Sequence, residues 1–134
     1  MQIRFNNIQF TELDYKVKTS DKNITHELET SVGVGSIFSE DDKKSFIIAF
    51  DCNLQSKSKK FKLKLKALAQ FSTQNDIDDD FRNSSFIDIN APAIAFPYVR
   101  AFISNLTLNS GYDPIVLPSY NFVQLSEEKN KKAQ

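Results

Sequence analysis

From Lys59 to Gln70 the chain alternates without a break, with Phe61, Leu63, Leu65, Ala67 and Ala69 on one parity and Lys60, Lys62, Lys64 and Lys66 on the other. Strict period-two alternation over that length describes a strand with one buried and one wet face. A row of lysines also discourages unwanted pairing where a strand lies at a sheet edge. Just upstream, Phe46, Ile48, Phe50, Cys52 and Leu54 repeat the pattern, and the short polar segment Gln55-Ser56-Lys57-Ser58-Lys59 joins the two runs. That arrangement predicts a β-hairpin. Two further runs precede it: Ile3, Phe5, Ile8, Phe10, Leu13, Tyr15 and Val17, then Leu28, Thr30, Val32 and Val34 before Gly35. Ser39-Glu40-Asp41-Asp42-Lys43 reads as the next turn. The result is four strands joined by polar turns, an antiparallel meander or a close relative of one.

After Phe71 the character changes. Residues 72–90 are polar and acidic, with Ile77, Phe81 and Phe86 spaced for at most a short helix. Phe96, Val99, Phe102, Ile103 and Leu106 then recur at three and four residues, which is a helical stripe. Asn90 suits an N-cap before Ala91 and Pro92, and Gly111 suits the stop. Pro97 stands within the stripe, where a proline costs about 3 kcal/mol, so it is expected to begin the regular helix or kink it. Tyr112 to Pro118 reads as extended and apolar, and the tail from Ser126 to Gln134 as too polar to bury.

The 134 residues suffice for one domain with a real core. Seventeen basic residues balance seventeen acidic ones, so no net field draws the chain to nucleic acid or to a membrane surface. Such neutrality mildly favours self-association. Cys52 is the only cysteine, which fits a reducing compartment. Met1-Gln2-Ile3-Arg4-Phe5 lacks the layout of a signal peptide, and no apolar run approaches the roughly eighteen residues of a membrane span. The expectation is a soluble cytoplasmic protein.

Chemistry is hard to find. One histidine, His26, with Cys52 falls short of a zinc site, and Cys52 lies on the apolar parity of its strand. Asp76-Ile77-Asp78-Asp79-Asp80 lacks the glycine and the distant glutamate of an EF-hand loop. Val32-Gly33-Val34-Gly35-Ser36 has neither the Lys-Ser/Thr nor the following helix of a phosphate loop. No Ser–His–Asp order is present, and the lysine run has no interleaved aromatics for stacking bases. The expectation is a protein with no catalytic residues, cofactor or metal.

Residues 90–122, "NAPAIAFPYVRAFISNLTLNSGYDPIVLPSYNF", resemble the signature of the SecB-type export chaperones. Pro92, Phe96-Pro97-Tyr98-Val99-Arg100, Gly111, Leu117-Pro118 and Asn121-Phe122 fall where that family has its characteristic residues. The resemblance implies an α+β fold: a four-stranded antiparallel sheet with a long amphipathic helix packed on one face. It also implies a single domain over residues 1–125, with strands at roughly 2–71, an acidic crossover at 72–90, the main helix at about 91–110, an extended loop at 111–125, and a polar tail at 126–134. The implied function is a holdase for unfolded precursor polypeptides, assembled as a homo-oligomer, a dimer of dimers. Leu28, Val32, Tyr98, Phe122 and Leu125 would then bind the client, and Leu63, Leu65, Ala67 and Phe102 would form the oligomer interface.

Two departures bear on partners. Familiar members end in a second amphipathic helix, which "NFVQL" followed by a charged tail leaves short or absent. They also dock the export motor SecA on an acidic face of the first and fourth strands, where this chain has Lys62, Lys64 and Lys66 with Asn6, Asn7 and Thr11. The lysines argue against SecA docking. Besides general export, the resemblance leaves room for a chaperone dedicated to one partner, such as an antitoxin, or for a non-chaperone oligomeric adaptor of the same fold.

Overall fold

The computed structural model describes residues 2–24 and 27–133, with side chains as far as Glu128; His26 lies outside the described residues. Strands β1 (Ile3–Val17), β2 (Leu28–Phe38), β3 (Ser45–Ser56) and β4 (Phe61–Thr73) form one antiparallel sheet in the order β1-β4-β3-β2. β2, β3 and β4 are a meander, whereas β1 closes the far side against β4. β4 is therefore central, and its lysines guard no edge.

The spacing of the β1 apolar residues has a simple cause. They advance by two except from Phe5 to Ile8 and from Phe10 to Leu13, where the register with β4 shifts. At each shift one extra residue is absorbed by a bulge, which keeps all seven on the inner face. Register then aligns Phe38, Phe46, Phe71 and Phe5 in one row across the whole sheet. Their rings meet at centroid distances of 6.1, 4.9 and 5.3 Å. In the turn before β3, Asp42 accepts hydrogen bonds from the Lys44 N–H (3.0 Å) and the Ser45 hydroxyl (2.9 Å), which hold its carboxyl below the ordinary range.

The acidic run works as a helix start. The Asp78 carboxylate accepts from the Phe81 N–H at 2.8 Å and caps α1 (Asp79–Arg82), with Asp79 and Asp80 in the first turn. A π-helical turn, Phe86–Asn90, leads straight into α2 (Ala91–Asn109). Asn90 consequently has helical dihedrals and makes no capping bond, contrary to expectation. Pro97 neither begins nor interrupts α2. Both Pro97 and Ala93, whose carbonyl loses its helical donor, face solvent, so water can take the place of the missing N–H. The opposite face, including Ala95, Phe96, Val99 and Ile103, is buried.

α2 ends as expected at Gly111, whose φ is +95°, with the Tyr112 N–H returning to the Thr107 carbonyl at 3.1 Å. The following segment is tied back to α2. Arg100 Nε donates to the Leu117 carbonyl at 3.0 Å, and Thr107 Oγ1 accepts from the Ile115 N–H at 3.0 Å. Beyond it the chain does form a second helix, α3 (Phe122–Ala133), where the sequence suggested a short or absent one. Asn121 Oδ1 accepts from the Gln124 N–H at 3.0 Å, a capping bond that offsets the polar composition.

One expectation about apolar runs also changes. The helical stretch Asp79–Asn109 is long and apolar enough by composition to cross a membrane, its most apolar 18-residue window having a mean hydropathy of 1.2. Its buried stripe is committed to the protein's own core.

Candidate functional site

The inner face of the sheet is covered unevenly. β3 and β4 alternate buried and open positions along nearly their full length, and their inward side chains share one core with α2, Ile115 and Leu117. Along β2 the inward positions are mixed. Val32 is buried, Leu28, Val34 and Phe38 are half-buried, and Thr30 and Ser36 are exposed. Across from β2, the π-helical turn brings Ile87 and Asp88 and α3 brings Leu125, Ser126 and Glu128, leaving an open groove of about 240 Å³. Its floor and walls are apolar, through Val32, Val34, Ile87 and Leu125, and among the described side chains the charged ones that line it are Asp88 and Glu128.

Such a groove can take up apolar side chains and attract cationic ones at Asp88 and Glu128, and its described side chains form no constellation for bond breaking. The thiol of Cys52 is fully buried, and burial first and the Asp51 charge second push it up to about 12. It therefore stays protonated at neutral pH, the behaviour of a small core residue. Among the described residues no group of three His, Cys, Asp or Glu side chains is placed to hold a metal.

Of the five residues expected to bind a client, only Val32 and Leu125 come together in this groove. Leu28 lies four residues along β2, about 13 Å away, opposite Ser56. Phe122 is 5% exposed and packs its ring on Phe96 at 5.6 Å and Tyr120 at 6.0 Å, so it belongs to the core. Tyr98 is on the outward face of α2, stacked on Phe5 of β1 at 4.9 Å, at the other side of the molecule.

The interface set also needs correction. Leu63, Leu65 and Ala67 are at most 1% exposed within a single chain, because their parity of β4 faces the core, and none is free to meet a second copy. Phe102 is half-buried and stacks on Phe10 at 4.1 Å. Sequence reasoning missed Ile87, Asp88 and Glu128, which no periodicity marks because a π-helical turn places the first two and the polar middle of α3 the third. Val34 was visible in the alternation of β2.

On the outer face, Lys62, Lys64 and Lys66 project together but not alone. Asp14 lies opposite Lys64, Asp51 opposite Lys66, and Glu12 forms an ion pair with Lys66 at 3.6 Å. This face is mixed in sign, not basic.

Comparison with known proteins gives a consistent pattern. The family model described as preprotein translocase subunit SecB matches residues 11–133. The chain is 39% identical over 56 residues to an uncharacterised protein of Methanocaldococcus jannaschii, covering 37% of this chain and 36% of that protein. It is 29% identical over 92 residues to the protein-export protein SecB of Dinoroseobacter shibae, covering 65% of this chain and 52% of the relative. The match thus spans about half or less of the length of these curated relatives. Among solved structures, a Mycobacterium tuberculosis SecB-like chaperone in complex with a ChAD peptide from an antitoxin superposes with a TM-score of 0.71. That likeness covers 89% of this chain and 90% of the other at 12% identity, and concerns the fold.

Proposed function

The chain belongs to the SecB family, and from that premise we propose that it is a holdase chaperone that keeps non-native polypeptides in solution by binding them in the groove between β2 and α3. The observation that carries this reading is the half-covered inner face of β2, beside two strands whose inner faces are sealed. A folded protein gains by burying apolar surface, so an open apolar trough lined by Val34 and Leu125 is a cost unless something occupies it. An unfolded chain supplies apolar side chains in any order, and contact area can replace specific hydrogen bonds. Binding of this kind acts by mass action on the unfolded state and needs no nucleotide, metal or catalytic step.

The leading form of the reading is a cytoplasmic chaperone that holds precursors for export. A second form, a chaperone dedicated to one partner, is favoured by the outer face, where Lys62, Lys64 and Lys66 are interleaved with Glu12, Asp14 and Asp51 in place of the acidic surface through which familiar members meet SecA. The peptide seated on the Mycobacterium tuberculosis neighbour came from an antitoxin. Self-association belongs to the same reading, but its surface moves. Ile94, Tyr98 and Leu108 are 45%, 51% and 54% exposed along the outward face of α2, and they replace the β4 residues as the contact between copies.

The test uses reduced, carboxymethylated α-lactalbumin, which cannot refold, as the client. Micromolar binding by the intact protein, weakened about tenfold or more by Leu125→Asp with the fold retained, is the expected result. No binding at these concentrations would overturn the chaperone reading. Light scattering that finds one mass for wild type and for Tyr98→Lys would remove α2 from the assembly.

A further inference from the structure

Val32-Gly33-Val34-Gly35 makes no phosphate loop, and its two glycines have no explanation inside the chain. Glycine within a strand weakens it, and marks a bulge, a bend or the close approach of another backbone. There is no bulge here, since β2 pairs with β3 residue for residue from Leu28 opposite Ser56 to Phe38 opposite Phe46. Neither glycine is in the left-handed region, where Gly111 is. Crowding is no reason either. A Cβ on Gly35 would meet nothing within 4 Å, and one on Gly33 would make ordinary contact with Asp51 at 3.8 Å. Together they leave a strip without side chains on the outer face of β2, continued across the sheet by Ala49 and Leu68.

The two edges of the sheet differ in kind. β1 carries Arg4, Glu12, Asp14 and Lys16 and is broken by two register shifts, devices that keep an edge from pairing. From Thr30 to Phe38, β2 has no charge, no proline and no register shift, and it is the last strand of the sheet. Its outward N–H and C=O groups form a row that another extended backbone can complete. On the inner side, Val32 and Val34 of the same stretch line the groove.

We infer that the edge of β2 at residues 31–37 takes one extended segment of bound polypeptide as a fifth strand, with side chains of one parity entering the groove and aromatic side chains of the other parity lying over Gly33 and Gly35. This rests on the polypeptide-binding reading above and specifies how that polypeptide is held. Main-chain hydrogen bonds are alike for every sequence, so edge pairing supplies affinity without selectivity, and alternate side-chain sites add a preference. A ring on a neighbouring strand covers a glycine strip better than any small residue does. The absence of side chains at Gly33 and Gly35 thus becomes a place for the client's aromatics.

The test uses a fluorescent nonapeptide alternating Val and Phe, and two versions of it N-methylated at all Val or at all Phe positions. Residues of one parity turn their N–H groups towards β2, so one methylated peptide should bind about tenfold or more weaker and the other should bind like the parent. Replacing Phe by Ala in the peptide should weaken binding to wild type. In the doubly substituted Gly33→Val, Gly35→Val protein, with its fold checked by circular dichroism, that preference for Phe should vanish. Equal binding of all three peptides, or binding of carboxymethylated α-lactalbumin without binding of the parent peptide, overturns the fifth strand and leaves the chaperone reading in place. Failure of both peptide and unfolded protein overturns both. Peptide binding that emerges only on dilution, as copies dissociate, gives the edge to a second copy of this chain and overturns the inference as well.

Discussion

Replacing Phe122 and Leu125 by alanine, one at a time, separates the core of this protein from its groove. The two residues lie three apart at the start of α3, yet Phe122 is 5% exposed and Leu125 is half-buried in the groove wall. Truncating a buried phenylalanine costs about 3–5 kcal/mol, part of it the edge-on contact with Phe96 at 5.6 Å and 75°. α3 is a peripheral element that can settle into the space, which places the cost near the lower end, about 3 kcal/mol. For a domain of this size that is a drop in melting temperature of roughly 10 °C. Leu125→Ala removes about half a side chain's worth of buried area, about 1 kcal/mol and a few degrees. Its main effect should be on the client: weaker binding of carboxymethylated α-lactalbumin in an anisotropy titration. Thermal melts and titrations on both variants therefore give opposite orderings. If Phe122→Ala melted within about 2 °C of wild type and lost the client, Phe122 would line the groove and the assignment of core and wall would be refuted.

Three further outcomes are expected. Leu65→Asp places an unpaired carboxylate at a position with no exposure, several kcal/mol against folding, so circular dichroism should show an unfolded protein; a folded, smaller oligomer by light scattering would restore β4 as an interface. Thr107→Val keeps the shape but leaves the Ile115 N–H without its acceptor, and should lower the stability in urea by about 1–3 kcal/mol; no change would mean that this bond does not hold the segment 112–118 on α2. Cys52 has its thiol raised from 9.0 to about 12, so the unfolded chain releases that proton first and the associated stability is full below pH 9 and lost as pH rises towards 12. The loss is about 4 kcal/mol at most, and urea denaturation at pH 8 and 11 should show a smaller alkaline decline for Cys52→Ala than for wild type.

Local pattern settled a good deal. The unbroken alternation of β3 and β4 predicted their hairpin, because a pleated strand gives each residue a side regardless of what lies beyond it. Even the bulges of β1 were written as the gaps from Phe5 to Ile8 and from Phe10 to Leu13. Gly111 marked the end of α2, since few residues adopt its backbone geometry. The family signature in residues 90–122 was legible too, and it led to the fold class. What periodicity omits is which face meets which element. Leu63, Leu65 and Ala67 share a parity whether that parity meets α2 or a second copy, and only the packed structure assigns them to the core. The central place of β4 was likewise invisible, because strand order depends on β1 crossing to the far side of the sheet, a contact between residues more than forty positions apart. The groove itself is a product of that distance. Val32, Ile87 and Leu125 come from a strand, a turn and a helix with no sequence relation, and they share a surface because the closed core of β3 and β4 leaves β2 as the uncovered edge of the inner face.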